Sequence, residues 1–151
     1  MRNAVLFVHI LAAILAFGPA FQAPAILAEA ERDTANFVAL VAQVRRRTRL
    51  VGPLSGLVLL AGVWLIFLGD YSDVFRSQLW LHLAIALFVV ATVLVFAVID
   101  PRVSRLAAVA AAAGAPTDEY RALKRTVTIT SGVNNLIVVA VLGLMVWQPT
   151  T

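Results

Sequence analysis

Cysteine is absent from this chain of 151 residues, and charged residues make up only 13% of it. Without cysteine, the chain has no internal disulfide and no thiolate ligand for a metal. Histidine is also scarce, and His9 and His82 are the only two strongly coordinating side chains of the protein. What the sequence does have is hydrophobic residues, at 62%, and they are arranged in long runs.

Four apolar runs are each long enough to cross a hydrocarbon core of roughly 30 Å, which takes about 20 helical residues. Uninterrupted runs of this length satisfy their backbone groups as helices rather than as barrel strands. The sequence therefore predicts an all-α membrane protein, an antiparallel four-helix transmembrane bundle forming one domain over residues 1–151. The first run, at about 25 residues, exceeds the core of a signal peptide, so we expect it to be retained. The predicted spans are approximately 4–28, 51–69, 79–99 and 126–147.

The basic residues predict the orientation of this bundle. Ten of the twelve lysines and arginines fall on the two connections that follow the first and third spans. The positive-inside rule makes these connections cytoplasmic and leaves both termini outside, as expected for a multi-pass protein of a bacterial inner membrane. The basic residues are then expected to contact membrane lipids, and no nucleic acid. They are Arg32, Arg45, Arg46, Arg47, Arg49, Arg102, Arg105, Arg121, Lys124 and Arg125.

Both basic connections carry helical patterns, which predict helical cytoplasmic extensions of the spans. Asp33 or Thr34 is a suitable cap for a helix that leads into the second span. After the third span, Asp100 and Pro101 predict a bend, and Gly114 is a natural helix stop. A second cap is expected at Thr117, before the acidic residues Asp118 and Glu119.

The two histidines lie a few residues inside the starts of the first and third spans, which begin on the same side of the membrane. Two imidazoles at similar depth on facing helices are suited to axial ligation of a b-type haem. The same pair suits copper, with Asp70, Asp73 and the terminal amine as further ligands. A third interpretation is structural, in which His9 and His82 only form hydrogen bonds between helices. These alternatives stay open at the level of sequence.

The other polar side chains inside the spans concentrate on the fourth one. They suit a polar path, contacts between helices, or a docking face for another membrane subunit or a second copy, while apolar sides such as that of Phe88 and Phe96 are expected to face lipid. Because the spans contain no Asp, Glu, Lys or Arg, an ion-coupled transporter is disfavoured. The polar residues are Thr128, Ser131, Asn134 and Asn135 in the fourth span and Gln22 in the first.

Four different short motifs are distributed along most of the chain. They are His9–Ala13 in the first span, Arg49 with Pro53 and Gly62 around the second, Trp80–Leu83 opening the third, and Leu144–Pro149 closing the fourth. With these motifs the chain resembles a family of small bacterial four-helix membrane proteins of unknown function, domain-of-unknown-function family 2269. That family is similar to the membrane domain of copper-resistance protein D and to HemJ, the haem-linked protoporphyrinogen oxidase.

The resemblance implies a four-helix bundle in which His9 is a haem ligand. HemJ-like proteins place a lysine just after the Trp-Leu-His stretch, where this sequence has Ala84, and this departure disfavours protoporphyrinogen oxidation. Two functions remain as hypotheses. One is a haem-binding redox or haem-handling module with His9 and His82 near the outer face, and the other is a non-catalytic accessory subunit of a larger membrane complex. Binding of copper or another small ligand is a third hypothesis.

Overall fold

The computed structural model describes residues 1–68 and 79–147, which form four long helices. These are α1 (Arg2–Arg32), α2 (Phe37–Leu68), α3 (Leu79–Ala113) and α4 (Asp118–Trp147). Each has at least 30 residues and is apolar enough to cross a membrane. At 1.5 Å per residue, the helices are about 45 Å long or longer, so each exceeds a hydrocarbon core of roughly 30 Å. The predicted all-α four-helix fold is confirmed.

The bundle consists of two helical hairpins, α1 with α2 and α3 with α4. α1 also packs against α4, and α2 packs closely against α3 in the segment Asp100–Ala113. We call the end that carries the two hairpin connections the basic end, since the ten basic residues named above cluster towards it. The opposite end, where α1 begins and α4 finishes, is the terminal end. The predicted outer loop between the second and third spans lies outside the described residues.

The predicted extensions are present at the basic end, because α2 begins at Phe37 and runs through Pro53 without interruption. Its first turn is closed by the Leu40 amide, which donates to the Asn36 carbonyl at 2.9 Å. Asp33 instead accepts from the backbone amide of Asn36 at 3.1 Å and from its side-chain amide at 2.8 Å. These hydrogen bonds hold the pKa of Asp33 below its ordinary value. The helix therefore starts after Asn36, and the prediction of a cap at Asp33 or Thr34 is wrong by at least two residues.

The connection between α3 and α4 has the predicted stop and cap. Gly114 adopts a positive φ of 68°, and its amide donates to the Ala110 carbonyl at 3.0 Å. Glycine suits this left-handed conformation because it has no Cβ. The Thr117 hydroxyl accepts from the Tyr120 amide at 3.2 Å, with Asp118 and Glu119 in the first turn. Local sequence signals thus end one helix and start the next.

Helix α3 continues through Asp100 and Pro101, where a bend is expected, and it contains a π-helical turn over Val95–Ile99 just before them. The Asp100 amide donates to the Val95 carbonyl, five residues back. Proline lacks the amide that an α-helix would use to reach the fourth residue back, and a π turn is one way a helix absorbs a local mismatch. The Arg102 guanidinium donates to the Val98 carbonyl at 3.0 Å, which satisfies one acceptor of this irregular turn.

The main hydrophobic core lies in the basic half of the bundle. Phe37, Leu106 and Tyr120 are fully buried there, and the rings of Phe37 and Tyr120 meet edge to face with centroids 4.9 Å apart. Lys124 of α4 forms an ion pair with Glu31 of α1 at 2.6 Å beside this core. The two hairpins are therefore joined most tightly at the basic end.

Candidate functional site

An apolar cavity of about 260 Å³ lies at the terminal end between all four helices. We call it the terminal cavity. Its walls are mostly aliphatic and aromatic, and Arg2 and His9 are the residues with ionisable side chains among those that line it. Small residues on three helices leave this space unfilled, namely Ala13 on α1, Gly62 on α2 and Ala84 on α3.

His9 is held in the terminal cavity by α2. Its Nδ1 lies 2.9 Å from the carbonyl oxygen of Val58. A carbonyl only accepts hydrogen bonds, so Nδ1 carries the proton, and in the neutral ring Nε2 keeps its lone pair. The ring lies over Gly62, where an added Cβ would be 3.1 Å from the His9 Cε1. The imidazole is thus oriented by one neighbour and accommodated by the absence of a side chain on another.

His82 occupies a different position from His9. Its side chain is exposed on α3, and it is not among the residues that line the terminal cavity. Met145 of α4 does line that cavity, together with His9. The structure therefore does not bring the two histidines together in this cavity, and their joint ligation of one iron stays a prediction.

Two aromatic residues of α3 face inward at this end. Trp80 is buried and lines the terminal cavity. Phe88 lines the same cavity, and its ring meets that of Phe17 edge to face with centroids 6.1 Å apart. The expectation that Phe88 faces lipid is therefore wrong, whereas Phe96 is 54% exposed as expected. The difference arises because the rotation of a helix about its own axis depends on packing with its neighbours.

A second and smaller cavity, of about 30 Å³, lies deeper in the bundle. We call it the polar cavity. Most of its lining is apolar, and the polar residues after which we name it are Ser131, Asn134 and Asn135 on α4 together with Arg47 and Thr48 on α2. Three of the four polar residues predicted in the fourth span thus line one internal space, and Thr128 does not line it.

Several acceptor atoms of the polar stripe on α4 have no hydrogen-bond partner. They are the side-chain amide oxygens of Asn134 and Asn135 and the hydroxyl oxygen of Thr128, all buried. Asn134 as a whole is only 2% exposed. Since these atoms point into the bundle, Thr128, Ser131 and Asn135 do not form an external docking face. Gln22 lies apart from them on an exposed part of α1, where its carbonyl oxygen accepts from the Arg47 guanidinium.

A metal site built from side chains requires several ligands close together. Within the part of the chain that the structure describes, no three His, Asp or Glu residues are grouped to hold an ion. Asp70 and Asp73, the additional ligands considered for copper, lie outside the described residues. Copper binding stays a prediction.

Some residues of these cavities were not singled out from the sequence. Arg2 and Met145 line the terminal cavity, and Arg47 lines the polar cavity. Arg47 is one of the basic residues that indicate the orientation of the bundle, and the sequence gives no separate signal that it lines a cavity. Met145 lies in an apolar span, where a methionine is indistinguishable from a packing residue.

Comparison with known proteins places the chain in a family. A family model described as "Predicted integral membrane protein (DUF2269)" matches residues 3–149. No curated protein matches the chain, and no solved structure matches it. The similarity to copper-resistance protein D and HemJ therefore stays a prediction. Because the match covers nearly the whole chain, and the four apolar helices agree with its description, this protein is a multi-pass integral membrane protein of the DUF2269 family.

Proposed function

We propose that the protein binds a b-type haem in the terminal cavity, with His9 as an axial ligand, and acts as a redox or haem-handling module. The observation that carries this proposal is the hydrogen bond from His9 Nδ1 to the Val58 carbonyl, 2.9 Å long. Histidines that bind metals commonly donate their other ring N–H to a carbonyl or carboxylate, which fixes the ring and the tautomer. His9 has this arrangement, with Nε2 left to act as the ligand.

The remaining lining of the terminal cavity suits a flat, largely apolar ligand. Ala13, Gly62 and Ala84 leave room between the helices, and most of the surrounding side chains are apolar. Arg2 lines the same cavity, and a guanidinium is a suitable partner for the carboxylates of a haem. A cavity of about 260 Å³ is slightly below the roughly 300–1,000 Å³ of typical ligand sites. Because α2 and α3 pack closely through Asp100–Ala113, we expect the cavity to widen between their terminal halves.

The second axial position has two candidate ligands. Met145 lines the cavity that contains His9, and its thioether is an established haem ligand. His82, which is exposed on α3, reaches the same iron only if this part of α3 turns. When bound, haem supplies one-electron chemistry, and the chain supplies the ligand, the orientation and an apolar surrounding.

An absorption spectrum of the protein purified in mild detergent from a haem-replete host tests the proposal. We expect a low-spin b-type spectrum in the reduced state and its loss in His9→Ala, since a ligand is removed. His82→Ala and Met145→Leu are the matched variants, and the one that becomes high-spin identifies the second ligand. Haem-free protein from such a host, with His9→Ala still folded, would contradict the proposal.

The position of the His9 ring provides a second readout. In Gly62→Ala, the new Cβ would lie 3.1 Å from His9 Cε1, so the ring must shift. We expect a changed haem spectrum or a weaker retention of haem. Gly18→Ala is the matched control on α1, because an added Cβ there meets nothing within 4 Å. Equal effects of the two substitutions would argue against His9 as the ligand.

We also propose that the basic end faces the cytoplasm of a bacterial inner membrane. The support is the distribution of lysine and arginine, which determines orientation through the positive-inside rule. Reporter fusions after Arg46 and after Gly114 should be active as cytoplasmic fusions. The opposite result would invert the topology and place His9 near the inner face.

A further inference from the structure

The polar cavity has features that the proposed function does not use. It is about 30 Å³ in volume and is lined by the buried residue Asn134, whose amide oxygen has no partner. We propose that this cavity is a hydrated site, which binds one or two water molecules in the interior of the bundle and is reached from the basic end past Arg47. This inference does not depend on haem binding.

The size of the cavity selects the ligand. A cavity volume of about 10–15 Å³ is enough for one water molecule. The polar cavity exceeds that value, but it is too small for a lipid headgroup, a sugar or an amino acid. A space of this size holds water when two or more polar groups face it, as they do here, whereas a cavity without polar groups stays empty.

The hydrogen-bonding groups of the polar cavity match those of water. The amide oxygens of Asn134 and Asn135 are acceptors without donors. The Thr48 hydroxyl already donates to the Val44 carbonyl at 3.0 Å, so it too has only acceptor capacity left. The Arg47 guanidinium supplies donors. A water molecule donates two hydrogen bonds and accepts two, so it satisfies the asparagines and receives from Arg47.

A cation or an anion fits these groups less well. Arg47 repels a cation, and the unpartnered oxygens of Asn134 and Asn135 repel an anion. Leaving the oxygens unpaired is also unfavourable, because a buried acceptor without a donor keeps the full cost of its desolvation. Water is the occupant that removes this cost without introducing a charge.

The route of entry follows from the two ends of the cavity. Arg47 is half-buried, and its guanidinium donates to the exposed Gln22 side chain on α1. The polar cavity thus approaches the protein surface on the side of the basic residues. Towards the terminal end, Phe17 lines the polar cavity, Phe88 lines the terminal cavity, and their rings are in contact. We therefore expect water to enter from the basic end and to stop at this aromatic pair.

Thiol labelling tests the proposal well, because the chain contains no cysteine. Single variants Ser131→Cys and Ala91→Cys are compared with a small hydrophilic thiol reagent. Ser131 lines the polar cavity, whereas Ala91 is 2% exposed and lines neither cavity. A hydrophilic reagent reaches a thiol only through water, and it reacts with the thiolate form, so we expect Ser131→Cys to react at least about tenfold faster. Equal rates would overturn the proposal.

Filling the cavity provides a second arm. In the Ser131→Cys background, Asn134→Leu should lower the labelling rate towards that of Ala91→Cys. Thr48→Val is a milder substitution of the same kind and serves if the leucine variant does not fold, as judged by helicity and elution in detergent. A rate unchanged in the folded variants would show that labelling proceeds by another route and would overturn the proposal.

Discussion

The basic end and the membrane spans differ in the size of the side chains that they bury. At the basic end, outside the predicted spans, large residues such as Phe37, Leu106 and Tyr120 are fully buried. Within the spans, the residues facing the bundle interior are often small, as at Ala16 and Ala84, while large residues such as Leu60, Phe67 and Leu136 are among the most exposed.

The difference is the one expected if the basic end lies in water and the spans lie in lipid. In water, burial of apolar area stabilises the folded state, by roughly 25 cal/mol per Å². In lipid this driving force between helices is absent, because lipid tails are as apolar as leucine, and small residues allow close helix packing instead. We infer that the basic end is stabilised as a small water-soluble bundle would be, and that the terminal end depends on close contacts between helices.

The largest expected effect tests the core of the basic end. Leu106→Ala should destabilise the bundle by about 2–5 kcal/mol, the usual cost of emptying a buried leucine site. Leu60→Ala, at a position 69% exposed within a predicted span, should cost far less. Unfolding of both variants in mixed micelles measures the difference. Similar losses at the two positions would remove the distinction between the ends.

The next effect concerns the ion pair between α1 and α4. Glu31→Gln should cost about 1–2 kcal/mol, because Glu31 and Lys124 are 32% and 18% exposed and less screened than a surface pair. Arg121→Gln is the control, since its partner Asp118 is 99% exposed, and we expect less than about 0.5 kcal/mol there. A double-mutant cycle with Lys124→Met measures the coupling. A coupling near zero would mean that the pair does not join the hairpins.

A smaller effect distinguishes two glycines of α2. A Cβ on Gly52 would lie 2.7 Å from the Phe96 ring, whereas one on Gly56 meets nothing within 4 Å. Gly56→Ala should therefore stabilise the helix by up to about 1 kcal/mol, and Gly52→Ala should gain less or lose stability because the ring must move. Thermal or detergent unfolding of the pair measures this. An equal gain in stability at both positions would show that the Phe96 ring moves aside at little cost.

The smallest effect is a pH dependence at the α1–α2 connection. The pKa of Asp33 is lowered from 3.8 by its hydrogen bonds to Asn36, so the folded state favours the carboxylate. This stabilisation is present above the unfolded pKa and is lost as the pH falls through the lower folded value. The difference in stability between the wild type and Asp33→Ala should thus narrow as the pH falls below the unfolded pKa of 3.8 and through the lower folded pKa. A difference in stability that does not change with pH would exclude a contribution from the Asp33 carboxylate.

The sequence predicts those parts of the fold that depend on local chemistry. Apolar runs specify the four helices, Gly114 ends α3 and Thr117 starts α4, because each signal acts within a few residues. The directions in which the side chains of His82 and Phe88 point could not be predicted in this way. They depend on the rotation of α3 about its axis, which is set by contacts with other helices. The polar cavity illustrates both cases, since the stripe on α4 is visible in the sequence and its partners on α2 are not.

The π-helical turn at Val95–Ile99 determines the register of α3. A π turn takes up one residue more than an α turn, so the terminal half of α3 has the same rotation about the helix axis as it would have in an α-helix without that residue. In this register Leu81 lines the terminal cavity and its neighbour His82 does not. Relaxation of the π turn to an α turn would rotate the terminal half by about 100°, the angle of one residue, and His82 would then take the place of Leu81. Deletion of Ala97, which removes the extra residue, should lock Leu81 in the cavity. The direction in which His82 points relative to His9 thus depends on a single irregular turn.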